Sequence, residues 1–236
     1  MSFFSFHRKP VFPTETFVTP GGPSVTLTLI KHGSLAIAFK DFHIQVDPVV
    51  KIGQDDYTDY GKFPKPDLVL VTHAHYDHFS LSTIEDIRKK GTRFVVTPEV
   101  FEELDEGEVL RNGESLQVTP EIRIDAVPAY NTTEAHLTFH PKGRDNGYVL
   151  SIDGLRIYVS GDTEDIPEMQ DLKDIDVAFL SVNQPFTMTP EQCAQAALSF
   201  RPKVLIPYHL SDTDPFEVRR LLDGSGIDVR VHDNLI

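Results

Sequence analysis

Residues 67–78 read DLVLVTHAHYDH. A nearly continuous apolar run closed by polar residues is the pattern of a central strand buried on both faces. Four metal-capable side chains follow it within six positions: His73, His75, Asp77 and His78. Packing alone does not call for that density. Two imidazoles two residues apart face the same way in extended chain, and the Asp-His pair then turns toward a second point. The segment predicts a metal site at the end of a buried strand.

Toward the N-terminus, Val25 to Ile30, Leu35 to Phe39 and Ile44 to Val46 read as strands of a meander, punctuated by Gly33 and by Lys40-Asp41. Residues 1–24, with Pro10, Pro13, Pro20, Gly21, Gly22 and Pro23, read as an N-terminal arm laid over a domain of residues 25–236. In the other direction, Ser82 with Glu85 spells a capping box for a short helix stopping at Gly91. A strand at Phe94 to Thr97 and a helical turn at Glu99 to Asp105 come next. Glu108 to Val127 reads as several strands, broken at Asn112-Gly113 and Pro120.

The second half repeats the rhythm. Strands at Tyr148 to Ile152 and Leu155 to Val159 flank Asp153-Gly154, and a Gly161-Asp162-Thr163 loop precedes a buried strand at Val177 to Val182. Thr189-Pro190-Glu191-Gln192 opens a helix to Phe200. A strand at Lys203 to Pro207, a helix at Pro215 to Asp223 and a strand at Ile227 to Val231 complete the chain. The simplest layering of this order is an α/β (α+β) fold with two mixed sheets and helices outside, a four-layer αββα sandwich.

The 236 residues are 40% hydrophobic and 25% charged, a globular composition. With 22 Lys+Arg against 36 Asp+Glu the net charge is −14, which argues against a nucleic-acid partner and against a nuclease. The single cysteine, Cys193, excludes an intrachain disulfide and any multi-cysteine metal site, so histidines and carboxylates must carry metal chemistry. Within its predicted helix, Cys193 reads as a core residue. No apolar run approaches the roughly 20 residues that cross a bilayer, and Met1 to Pro10 has no long apolar segment before a small-residue cleavage site; a cytoplasmic protein without a membrane span is expected.

The H-x-H-x-D-H run, together with His32-Gly33-Ser34, Asp47-Pro48, Gly161-Asp162-Thr163 and Tyr208-His209, resembles the metallo-β-lactamase superfamily from Val25 to Ile236. Within it, the chain looks most like the ascorbate-6-phosphate lactonase-like and N-acyl-phosphatidylethanolamine phospholipase-like hydrolases. The resemblance implies that His73 and His75 bind a first metal, that Asp77, His78 and His209 bind a second, and that Asp162 is shared. It departs after Val127-Pro128-Ala129, where relatives carry a third first-metal histidine and this chain has Asn131. An amide oxygen is a harder and weaker donor than imidazole. Either Asn131 fills that slot or His140 replaces it, with His136 behind; if Asn131 fills it, Asn131→His should tighten the first site.

The function expected is a metal-dependent hydrolase with one or two divalent cations, zinc first and manganese or iron(II) as alternatives. Coordination lowers the pKa of water from about 15.7 toward about 7, giving a hydroxide that attacks a small ester, lactone, amide or phosphodiester. Asp77 would orient the hydroxide, and the resemblance makes His32 a proton donor or substrate contact. Asp47 and Asp67, each beside a predicted strand, are candidates to hold ligand histidines. The partner is a small-molecule substrate, faced by residues 52–57 with Asp55 and Tyr57 and by residues 131–147; Lys142 or Arg144 would meet an anionic group on it. A homo-oligomer is left open. The rivals are a flavo-diiron-like redox enzyme, which favours a carboxylate where His75 stands, and a non-catalytic metal-binding module.

Overall fold

The computed structural model describes residues 12–52, 56–232 and 235; Asp55 and the side chain of Tyr57 lie outside the described residues, as do residues 1–11 of the predicted arm. In chain order the first half holds β1 (Thr14–Val18), β2 (Ser24–Lys31), β3 (Ser34–Phe39), β4 (Phe42–Val46), β5 (Lys51–Ile52), β6 (Asp56–Tyr57), β7 (Leu68–Leu70), α1 (Leu81–Ile87), β8 (Arg93–Val96), α2 (Pro98–Leu104) and β9 (Glu108–Val109). The second half holds β10 (Ser115–Thr119), β11 (Ile122–Ala129), β12 (Asp145–Ile152), β13 (Leu155–Val159), β14 (Val177–Ser181), α3 (Pro190–Phe200), β15 (Val204–Tyr208), α4 (Pro215–Leu221) and β16 (Asp228–Val229).

Side-chain alternation builds the layers. On β7, Leu68 and Leu70 join the main core while Val69 and the following Val71 pack with Ile84 and Ile87 of α1 and with Val100 and Leu104 of α2. A period of two thus buries both faces of one strand. The first sheet runs β1-β2-β3-β4-β7-β8-β9 and the second β10-β11-β12-β13-β14-β15-β16. Val25, Leu27 and Leu29 of the first sheet share the main core with Ile124, Leu150 and Ile157 of the second, and Cys193, Ala197, Phe200 and Val218 bring α3 and α4 into the same core. This is the expected αββα sandwich.

Two local expectations are corrected. The cap of α1 is Ser80, not Ser82: the extended backbone at Ser80 lets its hydroxyl accept from the Thr83 amide at 3.3 Å, and the helix closes on Arg88 before reaching Gly91. The later part of the predicted arm is a strand, since Thr14–Val18 pairs antiparallel with β2, and Pro20 to Pro23 lie in the turn between them. At α3 the predicted capping box forms in both directions, between Thr189 and Gln192. Among the described residues no helix is long and apolar enough to cross a membrane.

What positions the site is strand direction. β4 and β7 run parallel in one sheet, and β13, β14 and β15 run parallel in the other. Residues just past the carboxyl ends of β4, β7, β13 and β15 can therefore meet at one edge of the sandwich.

Candidate metal centre

Those strand ends carry Asp47, His73, Asp162 and His209. After β7 the chain turns on itself, with the His78 and Phe79 amides both donating to the His75 carbonyl, and this brings Asp77 and His78 back over the strand end. Three overlapping groups result, each with its donor atoms within 4.8 Å of one another: His73, His75 and His140; His32, Asp77, His78 and His209; and His73, His78 and Asp162. Asp162 lies between the first two. Its Oδ1 is 3.4 Å from His78 Nε2, and its Oδ2 is 3.3 Å from His209 Nε2 and 3.5 Å from His140 Nε2.

The donor set fits divalent cations on grounds internal to the molecule. Nε2 of His73, His78 and His209 and Oδ1 of Asp162 are buried with no hydrogen-bond partner. Leaving such an atom without a partner costs about 1–3 kcal/mol, and cations held in the linked groups would satisfy all four. The electrostatics agree. Burial pushes the His73 imidazole far below its usual range, aided by the neighbouring His78 and His140. Burial also opposes charge on His78, yet Asp162 and Asp47 carry it up to about 10. Burial would raise both carboxylates, but His209 and His32 hold Asp77, and His209, His78 and His140 hold Asp162, below the ordinary range. Both acids of the centre are thus favoured in the ionised form, a charge that a bound cation would match.

Tautomers are set from behind. Asp47, fully buried, accepts from His78 Nδ1 at 2.8 Å, from the Thr72 amide at 2.8 Å and from the Thr72 hydroxyl at 2.7 Å. With its one proton given to Asp47, the Thr72 hydroxyl accepts from His73 Nδ1 at 2.9 Å. One carboxylate therefore presents the Nε2 lone pairs of two histidines, one in each group. Asp145 holds His140 likewise through Nδ1 at 3.0 Å, and the Asn183 amide lies 3.3 Å from His209 Nδ1. Asp67 has no such role: it accepts from the His43 amide and pairs with Lys89.

The backbone is bent to allow this. His32, Asp47 and His209 all have left-handed φ, of 46°, 44° and 54°, at a cost of about 1–3 kcal/mol each that the surrounding bonds must offset. Gly33 leaves room for the His78 ring, since a Cβ there would lie 2.6 Å from its Cε1. Gly161 combines a φ of +62° with a close approach to the Asn146 carbonyl.

Other expected residues fall around the centre. His32 is buried, its Nε2 3.1 Å from Asp77 Oδ2 and its ring 3.6 Å from that of His209; burial keeps it neutral, pushed down to about 4. Asn131 uses its Nδ2 on the carbonyls of Phe186 and His136, leaving Oδ1 buried without a hydrogen-bond partner. His136 sits outside the three groups, bonded to the buried Glu164. Lys142 pairs with Glu168, and Arg144 with Asp145 and Glu99. Thr72, Asp145, Asn183 and Glu164 escaped the sequence reading; none belongs to a motif, and only the tertiary structure puts them next to histidines. A cavity of about 550 Å³ opens onto the centre, lined among others by His32, His75, Asp77, His140, Asp162 and His209.

Known proteins are similar to this chain in sequence and fold. The family model for the beta-lactamase superfamily domain matches residues 26–209. A UPF0173 metal-dependent hydrolase of Nanoarchaeum equitans is 31% identical over 180 residues, covering 71% of this chain and 83% of the relative. A crystal structure from Parabacteroides distasonis, provisionally designated a metal-dependent hydrolase, is 48% identical with a TM-score of 0.91, covering 94% of this chain and 99% of the other. A metallo hydrolase from Ignicoccus hospitalis is 28% identical with a TM-score of 0.73, over 90% and 96% of the two chains. Fold and centre together define a metal-dependent hydrolase on the metallo-β-lactamase scaffold. The chain belongs to that superfamily and, within it, to the UPF0173 metal-dependent hydrolases.

Proposed function

We propose that this chain hydrolyses a small ester, lactone, amide or phosphodiester at a centre of two zinc ions. His73, His75 and His140 would hold one ion, Asp77, His78 and His209 the other, and Asp162 both. The observation that carries this reading is the convergence of partnerless Nε2 atoms of His73, His78 and His209 on the Asp162 carboxylate. Three imidazoles are a donor set zinc takes readily, and His140 supplies the third without calling on Asn131. Bound zinc would lower the pKa of water and polarise the carbonyl or phosphoryl oxygen of the group under attack.

The chain's own groups do the rest. Asp77, half-buried on the cavity, would orient the attacking water through the carboxylate oxygen not engaged by His32. His32, neutral and bonded to Asp77 at 3.1 Å, would steady that carboxylate and contact the substrate rather than deliver a proton as an acid. Asp47 and Asp145 would keep three imidazoles in the tautomer a metal needs. Lactone or phosphodiester cleavage is the finer reading, supported by resemblance to the lactonase-like and phospholipase-like branch. The imidazole of His75 weighs against the diiron redox alternative.

The test is a panel of esters, lactones, amides and phosphodiesters offered to zinc-loaded protein. Turnover of at least one class, lost on chelation, restored by zinc and abolished in His140→Ala, is the expected result. Full metal occupancy with no turnover of any class would favour a non-catalytic module. His32→Ala should keep its metal while turnover falls; loss of metal would make His32 a ligand.

A further inference from the structure

We infer that the substrate carries an uncharged, apolar arm beside its scissile bond, seated on Phe139 and Phe186; this rests on the hydrolase reading above. The cavity is far larger than a bare carbonyl group requires, and outside the histidines and carboxylates its lining includes Ile52, Tyr76, Phe139 and Phe186. The two phenyl rings meet 4.9 Å apart at 66°, an edge-to-face pair. Phe186 is 41% exposed and Tyr76 75% exposed. Aromatic surface left open at the mouth of a cleft is surface that a ligand's apolar arm would remove from water.

The platform is held in place before any ligand arrives. Asn131 Nδ2 donates to the Phe186 carbonyl at 2.8 Å and to the His136 carbonyl at 3.3 Å, tying the loop that carries Phe139 to the loop that carries Phe186. The Phe139 amide donates to the His136 carbonyl, and the Asn131 amide to the His140 carbonyl. A preformed wall spares the ligand the entropy of ordering it.

Charge points the same way. Among the described residues no lysine or arginine lines the cavity. The nearby cations are already matched: Arg144 places Nε and Nη2 on the two oxygens of Asp145 and Nη2 also on the Phe139 carbonyl, while Lys142 bonds Glu168 and the Tyr130 hydroxyl. Among the described residues, a negatively charged arm reaching away from the metal centre would find no unmatched side-chain cation on the cavity wall to hold it.

Three hydroxamates with a common metal-binding head test this by calorimetry on zinc-loaded protein: acetohydroxamate, phenylbutanohydroxamate and the monohydroxamate of succinic acid. The phenyl arm should bind about ten-fold or more tighter than acetohydroxamate, and the carboxylate arm should gain nothing. The double variant Phe139→Ala with Phe186→Ala should shrink the phenyl advantage below about three-fold while metal content and acetohydroxamate affinity stay as in the parent. Phe186→Leu, which keeps apolar area, should retain most of the advantage. Tightest binding by the carboxylate arm, or a phenyl advantage that survives the double variant, would overturn the inference. Failure of acetohydroxamate itself to bind would instead remove the metal-centre reading, and the arm with it.

Discussion

The Asp47 carboxylate accepts three hydrogen bonds and reaches a histidine in each of the two donor groups, one directly and one through Thr72. Replacing it by alanine frees the rings of His73 and His78 to turn. Asp47→Ala should weaken metal binding about 10–100-fold in competition with a chromogenic chelator; unchanged affinity would mean that packing alone orients those rings. Gly33→Ala acts on the same ring by crowding, so it should cost metal at the Asp77, His78 and His209 set first. At Cys193 burial pushes the thiol well above its usual range, so the folded protein should react with a thiol reagent only after denaturation. The residues from His73 to His78 were legible because four donors stand side by side in the sequence. Asp145 and Thr72 were not, because an aspartate at a strand start and a threonine at a strand end are ordinary until the fold places histidines against them.

At the scale of elements, the loop after β11 shows how a departure in one motif is absorbed. Asn131 stands where the family resemblance implies a histidine, and its amide joins two loops while His140, held by Asp145, lies with His73 and His75. If His140 fills that place, as proposed, Asn131→His should leave metal affinity unimproved and should cost about 1–3 kcal/mol in denaturation, through the loss of a buried amide donating to two carbonyls. Tighter metal binding in that variant would return Asn131 to the ligand slot. The strands and helices themselves were largely readable, because two-residue alternation and the Thr189 to Gln192 capping box act locally. The misplaced cap of α1 reflects a choice between two serines two residues apart that only backbone conformation decides. Strand β1 was hidden by the prolines around it, although its short alternating run pairs fully with β2.

Across the whole molecule, two sheets are joined by the apolar core and, at one edge, by charge. Asp47 and His73 to His78 come from the first sheet, and His140, Asp162 and His209 from loops and strand ends of the second. A cation bound there links the halves, so chelation should lower the denaturation midpoint and zinc should restore it, since a ligand that binds only the native state stabilises it by mass action. Asp162 and Asp47 push His78 up to about 10 without metal, so it would have to give up its Nε2 proton to become a ligand. Metal uptake near pH 7 should therefore release protons, seen as a dependence of binding heat on the ionisation enthalpy of the buffer, and affinity should rise with pH. Uptake without proton release would mean either that His78 is already neutral before the metal binds or that it stays outside the coordination shell.

Anomalous diffraction at the zinc edge from crystals of the zinc-loaded protein bears most directly on the central claim. Two peaks are expected, one among His73, His75 and His140 and one among Asp77, His78 and His209, with the Asp162 carboxylate between them. Density without a peak at either position, or zinc bound only elsewhere on the surface, would contradict the account.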